Sequence, residues 1–391
     1  MKLIPLSDEQ ERLCIGLMSG TSADGIDAAL VRISGSGETL RSQELAFVTI
    51  PYEEEVRKKL LLVAKGDTGG SHELTLLSFL LGELFTEASL SLCGKAGVKP
   101  SDIDLIGSHG HTVYHIPLGE PCLGRNIRGT MQIGDVSSLA ETFGCPVVSD
   151  FRVRDFAAGG MGAPLVPYTE YLLFRRKERT VALQNIGGIG NVTILPKNCE
   201  PSEVVAFDTG PGNMVIDALV SHYTGQRYDD GGMLASKGTV HPVLQEFFAS
   251  DPYLSLPYPK TTGREMYGEA FVEKILSIAE KEKIQVNDVI ASATWFTAYS
   301  IQKSLSYDGL QRPDTLIVGG GGSHNRTLLC YLRQLLPDVS VVTDEDVGCS
   351  SDSKEAVAFA ILANECVCGK CNSLPTATGA RHPVVLGKIQ L

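Results

Sequence analysis

Length, composition and charge already limit what this protein can be. The sequence has 391 residues, more than a single hydrophobic core usually spans, so we expect two domains or lobes. A formal net charge of −12 argues against nucleic-acid partners and anionic membranes, which need clustered Lys and Arg. The N-terminal MKLIPLSDEQERLC does not resemble a secretion signal, and no apolar run reaches the ~18 residues that span a membrane. We therefore expect a cytoplasmic protein.

The cysteines give a second compositional clue. Ten are scattered over the chain, mostly in apolar contexts that fit reduced, buried thiols, as at Cys14, Cys145 and Cys330. CVCGKC holds a tighter cluster of Cys366, Cys368 and Cys371. A zinc or iron–sulfur site there would need a fourth ligand, for which His382 is the nearby candidate. We favour the simpler interpretation, a helix end with exposed thiols.

In chain order, short runs rich in Val, Ile and Leu alternate with longer helical patterns, which is typical of an α/β protein. We predict strands at Leu13–Met18, Ala28–Ile33, Glu44–Ile50, Asp104–Gly107, Pro146–Ser149, Val181–Asn185, Val192–Leu195, Val204–Asp208, Thr315–Val318 and Ser340–Thr343. We predict helices at Glu53–Ala64, Glu73–Cys93, Ser137–Thr142, Val166–Phe174, Gly212–Tyr223, Gly268–Glu282, Val286–Ser306, Asn325–Leu335 and Lys354–Glu365.

Two glycine-rich turns share one plan. CIGLMSGTSADGIDAALVRI, Cys14 to Ile33, places small hydroxyls, glycines and carboxylates between two apolar runs, and VALQNIGGIGNVTIL, Val181 to Leu195, repeats this arrangement about 170 residues later. Glycine permits the close backbone approach that anion-binding turns need. Either turn alone could be an ordinary hairpin. Together they suggest duplicated lobes that each begin with a phosphate-binding turn.

The lobe boundary falls near Asp150 to Ala163, where charges meet a Gly/Pro-rich loop. We predict an N-terminal lobe over residues 1–150 and a C-terminal lobe over 151–371, with a tail of about 372–391 that packs back on the first lobe.

Two further stretches indicate chemistry. AFDTGPGNMVIDAL places Asp208 at the end of a predicted strand, before Gly210 and a helix, where a carboxylate can accept a proton or can instead cap the helix. LIVGGGGSHN is a strand that runs into four glycines, Gly319 to Gly322. Ordering four glycines costs much entropy, so we expect a flat ligand such as a purine and ribose against that backbone.

The stretch IGSHGHTVYH holds His109, His111 and His115, which could surround a zinc ion or, on a loop leaving a strand, could shape a polar pocket. Thr112 and Gln132 supply neutral hydrogen-bonding groups of the kind that a sugar requires. There is no P-loop motif, no strand-linked G-x-G-x-x-G and no G-x-S-x-G, so a P-loop, a dinucleotide fold and a nucleophile-elbow hydrolase are unsupported.

Taken in order, several motifs resemble the anhydro-N-acetylmuramic acid kinase family over nearly the whole chain, from about Leu13 to Gly387. They are GLMSGTSADGID, SHGHT, QIGD, DFRVRDFAAGGMGAPLVP, NIGGIGNV, FDTGPGN, PKTTGRE and VGGGGSHN. The resemblance implies an α/β, two-lobed actin-like fold of the sugar kinase/Hsp70/actin superfamily, with duplicated lobes and an ATP cleft between them. It implies an enzyme that converts 1,6-anhydro-N-acetylmuramic acid, water and ATP to N-acetylmuramic acid 6-phosphate and ADP in peptidoglycan recycling.

The resemblance also implies roles for single residues. Asp208 would activate the water that attacks the anomeric carbon, while the departing O6 takes the γ-phosphoryl group. Asp24 or Asp27 would hold Mg²⁺ through water. The ATP-binding residues would be Gly20, Thr21, Ser22, Ala23, Asp24, Gly25, Ile26, Asp27, Gly187, Gly188, Asn191, Gly210, Gly319, Gly320, Gly321 and Asn325. The sugar-binding residues would be Thr112, Gln132, Arg152, Asp155 and Glu355.

This chain departs from the family pattern at a few positions. His111 stands where many relatives have Gln, Met161 stands where Gln is common, and Pro117 to Met131 is longer than usual. Two other functions remain open, an actin-like ATP-binding regulator and a sugar kinase with a different substrate. We expect ATP, Mg²⁺ and an amino sugar as ligands, no nucleic-acid or membrane partner, and a possible homodimer.

Overall fold

The computed structural model describes residues 10–66 and 70–391, so the first nine residues of the N-terminal segment discussed above lie outside it. The chain divides into two compact units. Unit 1 comprises the described residues up to Leu173 together with Asp352–Leu391, and unit 2 comprises Phe174–Ser351.

Unit 1 contains the first part of the chain and its C-terminal part. Its strands are β1 (Arg12–Ser19), β2 (Gly25–Ser34), β3 (Arg41–Pro51), β4 (Leu105–Cys122), β5 (Arg125–Ile133), β6 (Val147–Ser149) and, in this numbering, β12 (Lys388–Gln390). Its helices are α1 (Glu54–Ala64), α2 (Ser71–Ala96), α3 (Ser137–Phe143), α4 (Val153–Ala157), α5 (Val166–Phe174), α12 (Lys354–Val367) and α13 (Pro375–Thr378).

Unit 2 lies between these parts in the chain. Its strands are β7 (Val181–Ile186), β8 (Ile189–Leu195), β9 (Val205–Pro211), β10 (Thr315–Gly319) and β11 (Ser340–Thr343). Its helices are α6 (Met214–Thr224), α7 (Pro242–Ala249), α8 (Arg264–Tyr267), α9 (Glu269–Lys281), α10 (Val286–Ser304) and α11 (Arg326–Leu335). Short 3-10 helices occur in both units. In unit 1 they are Gly37–Thr39 and Pro100–Asp102, and in unit 2 they are Pro201–Glu203, Asp230–Gly232, Ala235–Lys237, Pro252–Ser255, Gly321–His324 and Glu345–Val347.

The two sheets repeat one topology. In unit 1 the central order is β3-β2-β1-β4-β6, and in unit 2 it is β9-β8-β7-β10-β11. In both, the first three strands are antiparallel neighbours and the last two join in parallel. Unit 1 adds β12 beside β6 and β5 beside the long end of β4. The predicted class, α/β with duplicated actin-like lobes, is confirmed in this repeated order.

The sheet of unit 1 is covered on both faces. On one face Ile15 and Ile106 pack with Leu81 and Phe85 of α2. Neighbouring residues alternate faces along a strand, so Gly16 between Ile15 and Leu17 points the other way. A side chain at Gly16 would collide with the backbone of Ala356 in α12. Glycine therefore allows α12 to lie directly on the sheet, as Gly107 does against Phe359.

The core of unit 2 has two parts. Strand residues such as Val192 and Val318 pack with Leu328 and Leu332 of α11. The helices α6, α7, α9 and α10 bury a separate cluster, in which the rings of Phe248 and Phe296 stack with centroids 4.5 Å apart. The sheet of unit 2 thus has its own hydrophobic support.

Several expectations need correction. Residues 151–173 and 352–371 group with unit 1, whereas the sequence assigned them to the second lobe, because α12 packs on the first sheet and Asp155 is bound by Thr378. The stretch from His109 to His115 is strand rather than loop, and the long segment Pro117 to Met131 completes a β-hairpin. The isolated motifs carried no information on these tertiary contacts.

Helix α2 corrects the statement that no segment is long and apolar enough to span a membrane. Its 26 residues include an 18-residue window of mean hydropathy 1.4, half of which is buried. Leu81, Phe85 and Leu92 lie in the core of unit 1. Core helices of water-soluble proteins have the same length and composition, so this helix alone is weak evidence of a membrane span.

Candidate active site

The turn between β1 and β2 is open on one side. The Ala23 N–H donates to the Gly20 carbonyl at 3.0 Å, and Ala23 itself has a φ of +53°. The nearest atom to a side chain built at Gly20 would be Ser22 Oγ, at 3.8 Å. Thr21 and Ser22 are exposed. The backbone of this turn is therefore free to approach a ligand.

Three of the predicted phosphate-hairpin residues contribute no side chain to such a ligand site. The side chains of Ala23 and Ile26 are buried in the core of unit 1. A side chain at Gly25 would meet the Ile50 carbonyl at 2.5 Å, so that glycine is required by strand β3. For these positions the prediction is restricted to backbone contacts.

The two candidate metal-binding carboxylates differ in environment. Asp24 is exposed and forms an ion pair with Arg57 at 3.5 Å. Asp27 is half-buried and accepts a hydrogen bond from Thr49 Oγ1 at 2.6 Å. Burial raises the pKa of Asp27, and the nearby charge of Asp352 raises it further. Because a cation would relieve this repulsion, Asp27 fits a metal-binding role better than Asp24 does.

Arg152 is held in place by His109. The Arg152 Nε–H donates to His109 Nε2 at 2.9 Å, and NH1 donates to the Gly162 carbonyl at 2.7 Å. The other ring nitrogen of His109 contacts the Gly110 carbonyl, which can only accept, so His109 is neutral with its proton on Nδ1. Burial lowers the pKa of His109 well below its usual value, and Arg152 lowers it further.

Glu355 lies in the same charged group. Desolvation lowers the pKa of Arg152 to about 10, and Glu355 opposes that shift. The side chain of Glu355 remains accessible to solvent, although surrounding protein raises its pKa. Arg152 lowers the pKa of Glu355 and Asp27 raises it, which places all three side chains within electrostatic range of each other. A sugar can use the Arg152 donor and the Glu355 acceptor, which leaves Asp27 for a cation.

A second polar network contains Ser19, Tyr52 and His111. The Tyr52 hydroxyl donates to Ser19 Oγ at 2.9 Å, and Ser19 Oγ lies 2.9 Å from His111 Nδ1. Since Ser19 Oγ accepts from Tyr52, its own proton is available for His111. Burial lowers the pKa of His111 to about 4. His111 is therefore neutral at pH 7 and supports the strand that enters the glycine turn.

The remaining sugar-binding candidates of β4 and β5 form a hydroxyl and amide row. Gln132 Nε2 donates to Thr112 Oγ1 at 3.1 Å and to Thr130 Oγ1 at 2.7 Å. Gln132 Oε1 is buried and has no hydrogen-bond partner among the described residues. The structure thus brings Thr112 and Gln132 together, as the sequence suggested for a sugar contact.

Asp155 does not fit its predicted role as a sugar-binding residue. It is fully buried, and its two oxygens accept hydrogen bonds from the Gly162 N–H at 2.8 Å and from Thr378 Oγ1 at 2.7 Å. Its carboxylate therefore holds the glycine-rich loop that also presents the carbonyl to Arg152. Asp155 supports a sugar-binding residue from behind and does not offer its own oxygens.

The second turn, between β7 and β8, is open in the same way as the first. The nearest atom to a side chain built at Gly187 or Gly188 would lie 3.8 Å away. Their carbonyls accept hydrogen bonds from the Asn213 N–H at 2.7 Å and the Gly212 N–H at 2.9 Å. Asn191 is exposed on β8, where it pairs with Asp208 of β9. This turn is fixed by its carbonyls.

The four consecutive glycines have an internal explanation that the sequence did not reveal. A side chain at Gly319 would collide with Asp344, and one at Gly322 would collide with Ile186. Gly320 has a φ of +74°, and a side chain there would lie 2.5 Å from Asn185 Oδ1. Only Gly321 has ordinary space around it within the described structure. Packing therefore accounts for glycine at positions 319, 320 and 322 without a ligand, and the contact of Gly319 to Gly322 with a purine stays a prediction.

Two other predicted nucleotide contacts have structural tasks. Asn325 is buried, and its Oδ1 caps helix α11 by accepting from the Leu328 N–H at 3.0 Å. Gly210 has a φ of +140° and lies against Ser300 of α10. Both residues are explained by these contacts without a ligand, because each one positions the surrounding backbone.

Asp208 is the carboxylate of unit 2 that the sequence predicts as a general base. It lies half-buried on β9, where its Oδ2 accepts hydrogen bonds from Thr261 Oγ1 at 2.8 Å and from the Thr262 N–H at 3.0 Å. Oδ1 accepts none from the part of the chain that the structure describes. Burial raises the pKa of Asp208, while the hydrogen bonds from Thr261 and Thr262 and the charge of Lys260 oppose the rise. A carboxylate with one fixed and one free oxygen can accept a proton.

Comparisons with known proteins agree on one family. The model of the family described as anhydro-N-acetylmuramic acid kinase matches residues 12–391. A relative of that name from Caldanaerobacter subterraneus subsp. tengcongensis is 50% identical, with 100% of both chains covered. Another from Clostridioides difficile is 42% identical and covers 96% of this chain and 97% of its own. The chain belongs to this family. It is accordingly an enzyme of the kinase class.

Solved structures resemble the chain only distantly. An activator of 2-hydroxyisocaproyl-CoA dehydratase from Clostridium difficile with bound ADPNP has 12% identity and a TM-score of 0.45, covering 91% of this chain and 95% of its own. A ROK family glucokinase from Streptomyces griseus with glucose and AMPPNP has 15% identity and a TM-score of 0.38, covering 90% and 99%. Both TM-scores are below 0.5, and the fold of this chain is identified by the strand order of its two sheets.

The cysteine and histidine clusters of this family member do not meet metal-site geometry. Among residues 10–66 and 70–391, no group of three His, Cys, Asp or Glu side chains could hold a metal ion. Cys366 is buried and Cys371 is exposed, so the expected exposed helix end applies only in part. Cys14 and Cys145 are buried as expected, but Cys330 is exposed.

A cavity of about 610 Å³ in unit 1 meets the hydroxyl and amide row only at Thr130, which accepts a hydrogen bond from Gln132. It is lined mainly by apolar side chains of α1, α2 and the β4–β5 hairpin, including Val63, Leu74, Val113 and Met131. The candidate catalytic and binding residues do not line it. Its chemistry does not suit a polar sugar or a triphosphate.

Sequence reasoning missed several residues that the structure adds to the site of this kinase family member. They are Ser19, Tyr52, Lys260, Thr261 and Thr262. The last three lie in PKTTGRE, a motif that was visible in the sequence without an assigned role. Tertiary contact with Asp208 gives the motif its meaning.

Proposed function

We propose that this protein is an ATP-dependent hydrolytic kinase that converts 1,6-anhydro-N-acetylmuramic acid and water to N-acetylmuramic acid 6-phosphate and ADP, as part of peptidoglycan recycling in the cytoplasm. The observation that carries the proposal is the environment of Asp208. Its Oδ2 is bound by Thr261 and Thr262, its Oδ1 is free of described partners, and burial raises its pKa. The names of the relatives, with 42–50% identity, supply the substrate.

The proposed chemistry balances around one water molecule. Asp208 Oδ1 accepts a proton from water as the water oxygen bonds to the anomeric carbon. The bond from that carbon to O6 breaks, and O6 takes the electron pair. O6 then bonds to the γ-phosphorus of ATP, the bond to the β,γ-bridging oxygen breaks, and ADP leaves. One carboxylate thus serves both the ring opening and the phosphoryl transfer.

Residues of unit 1 are proposed to bind the sugar. Arg152 is pre-oriented by His109 and the Gly162 carbonyl, which leaves NH2 as a further donor. Thr112 and Gln132 present hydroxyl and amide groups, and Glu355 presents an acceptor. A planar guanidinium and neutral amides suit a sugar that carries both a carboxylate and an N-acetyl group.

The nucleotide is proposed to use the two open turns. Phosphate binding by backbone N–H groups requires glycines that neighbouring atoms leave accessible, and Gly20, Gly187, Gly188 and Gly321 meet this condition. Mg²⁺ commonly binds through only one or two carboxylates together with substrate phosphates. Asp27 fits that task, since its carboxylate lies among negative groups. The metal would neutralise charge that develops on the phosphates.

Isotope labelling tests the whole reaction. The protein is incubated with ATP, Mg²⁺ and the anhydro sugar in H₂¹⁸O, and the products are analysed by mass spectrometry. We expect one ¹⁸O at the anomeric hydroxyl and an unlabelled phosphate on O6. The sugar 6-phosphate without enzyme, in the same water, controls for spontaneous exchange.

Other outcomes of this experiment select the competing functions. A phosphorylated sugar whose anhydro ring is intact would indicate a kinase for an ordinary hydroxyl. Label in free phosphate with an unchanged sugar would indicate an ATP-hydrolysing regulator. Either result would overturn the hydrolytic mechanism.

Size-exclusion chromatography with light scattering tests the expected homodimer separately.

A further inference from the structure

The PKTTG segment, residues 259–263, contacts Asp208 through three consecutive residues. The Lys260 carbonyl accepts from the Asp208 N–H at 3.0 Å. Thr261 Oγ1 and the Thr262 N–H both donate to Asp208 Oδ2, at 2.8 and 3.0 Å. The position of this segment therefore decides where the carboxylate of Asp208 lies.

The backbone of Asp208 also depends on this region. Strand β9 is an edge strand of the unit 2 sheet, and its pairing with β8 is irregular between Gly190 and Asn191. On its outer side the Asp208 N–H binds the Lys260 carbonyl, and the Asp208 carbonyl accepts from the Tyr253 hydroxyl at 2.8 Å. Edge strands leave such groups unpaired unless another segment covers them. Residues 253–262 provide that cover.

The side chain of Lys260 fixes this covering segment. It is buried, and its Nζ donates to the Tyr253 carbonyl at 2.8 Å and to the Tyr307 hydroxyl at 2.7 Å. The same ammonium lies 4.0 Å from the ring centre of Tyr253 and 5.2 Å from that of Tyr307. The Tyr307 hydroxyl donates in turn to the Leu254 carbonyl at 2.8 Å. The ammonium of Lys260 is thus buried and held by a carbonyl, a hydroxyl and two aromatic rings, which makes it a rigid anchor for the segment.

The charges around the anchor are few and defined. Burial lowers the pKa of Lys260 to about 8, while Asp251 and Asp208 both raise it. Asp208 faces Lys260, whose charge lowers its pKa, and Glu265, whose charge raises it. Asp251 also faces Lys274. The ammonium of Lys260 thus favours the ionised form of the proposed base.

We propose that Lys260 is a positioning residue for Asp208: its ammonium, held by Tyr253 and Tyr307, anchors the PKTTG segment so that Thr261 and Thr262 bind Oδ2 and leave Oδ1 for the reacting water. This inference rests on the proposed function for its catalytic consequence. The anchoring itself is a property of unit 2 and can be measured without substrate.

The first test compares Lys260→Met with Lys303→Met. Lys303 is an exposed lysine of the same unit whose ammonium lies 5.5 Å from the ring centre of Tyr299, so it is a matched control. We expect Lys260→Met to lower kcat roughly 10- to 100-fold, as small misplacements of catalytic groups do, with the KM for ATP unchanged. The acidic limb of its kcat/KM profile should move to higher pH, since the cation that lowers the pKa of Asp208 is gone. A purely structural lysine would not move that limb.

The second test reads the anchor without catalysis. Hydrogen exchange of the Asp208 and Thr262 amides, followed by mass spectrometry, should accelerate in Lys260→Met and stay unchanged in Lys303→Met. If the wild-type protein does not phosphorylate the sugar, the proposed function fails while this exchange difference still decides the anchoring.

Gentler variants cover the case in which Lys260→Met does not fold. Tyr307→Phe removes one acceptor of the ammonium, and Tyr253→Phe removes the donor to the Asp208 carbonyl. Both should accelerate exchange at Asp208, with a smaller loss of kcat than in Lys260→Met. Wild-type exchange and wild-type kcat in both tyrosine variants would overturn the proposal.

Discussion

The two hairpins that begin the two sheets have the same topology but use it differently. Unit 1 contains, besides the open turn at Gly20, two side-chain networks, one of Ser19, Tyr52 and His111 and one of Arg152 and His109. In unit 2 the open turn at Gly187 is surrounded by closely packed glycine backbone.

Under the proposed function, this difference would let the two copies of one framework bind different parts of the substrates. A sugar is recognised by hydroxyls, amides and a guanidinium in fixed directions, which side chains supply. A polyphosphate is recognised by backbone N–H groups, which need small residues. Unit 2 adds one side chain of a different kind, the Asp208 carboxylate. Its neighbours Thr261 and Thr262 bind Oδ2 and, among the described residues, none binds Oδ1.

The largest expected effect concerns that carboxylate. Asp208→Asn keeps the size of the side chain but cannot accept a proton, so we expect kcat to fall about 10²- to 10⁴-fold. The melting temperature and ATP binding should stay close to wild type. Asp217→Asn is the matched control, because Asp217 is another half-buried carboxylate of unit 2, on helix α6, where burial and Asp229 raise its pKa to about 6. Near-normal turnover of Asp208→Asn in a steady-state assay would remove Asp208 from the mechanism.

The next prediction separates the two acidic residues of the first hairpin. Asp27→Asn should raise the Mg²⁺ concentration for half-maximal activity roughly 10- to 100-fold, as loss of an outer-sphere ligand does. Asp24→Asn should change it far less, because Asp24 is exposed and already pairs with Arg57. The measurement is a Mg²⁺ titration after treatment with EDTA. Equal shifts in both variants would contradict the preference for Asp27.

The glycine turns of unit 2 give a third, smaller effect. Gly187→Ala has space for its methyl group and should fold normally, but the methyl group would hinder phosphate approach and lower ATP affinity by about tenfold, the equivalent of one hydrogen bond to a charged group. Gly320→Ala should instead destabilise the protein by about 1–3 kcal/mol, since Gly320 has a φ of +74° and lies against Asn185. Calorimetric ATP titration and thermal unfolding distinguish the two. A folding defect in Gly187→Ala would contradict the open turn.

Much of this architecture could be predicted from the sequence. Alternating apolar runs gave ten of the strands, because a two-residue period and a helical period are local properties, but they missed β5, β12 and the long extension of β4 beyond Gly107. The base candidate Asp208 was visible for the same reason, at the end of a strand and before a glycine turn. Local patterns also suggested the row of Thr112 and Gln132.

What the sequence could not show depends on contacts between distant residues. Asp155 looked like a binding carboxylate until Thr378, 223 residues away, accounted for one of its oxygens. The four glycines looked like a ligand platform until Asp344 and Asn185 explained their lack of side chains. Lys260 attracted no attention because its partners, Tyr253 and Tyr307, carry no motif of their own. Burial and long-range pairing decided each case.

The smallest predicted effect distinguishes the units by their response to acid. In unit 1 His111 has a folded pKa of about 4, against about 6.5 when unfolded, so its contribution to stability is complete above pH 6.5 and is lost as the pH falls towards 4. At pH 5 the loss amounts to about 2 kcal/mol. In unit 2 the raised pKa values of Asp208 and Asp217 act in the opposite direction, since these carboxyls take up a proton more readily when folded.

Within unit 1 the raised pKa values of Asp27 and Glu355 oppose the lowered pKa values of His109 and His111, so the contribution of His111 is isolated by substitution. His111→Gln keeps an acceptor for Ser19 but does not titrate, so its free energy of unfolding should fall by about 2 kcal/mol less than that of wild type from pH 7 to pH 5. His324→Gln, at an exposed histidine of unit 2, is the control and should behave as wild type. Equal acid sensitivity of His111→Gln and wild type would mean that His111 is not the neutral, buried partner of Ser19, and the side-chain network beside the first hairpin would need a different account.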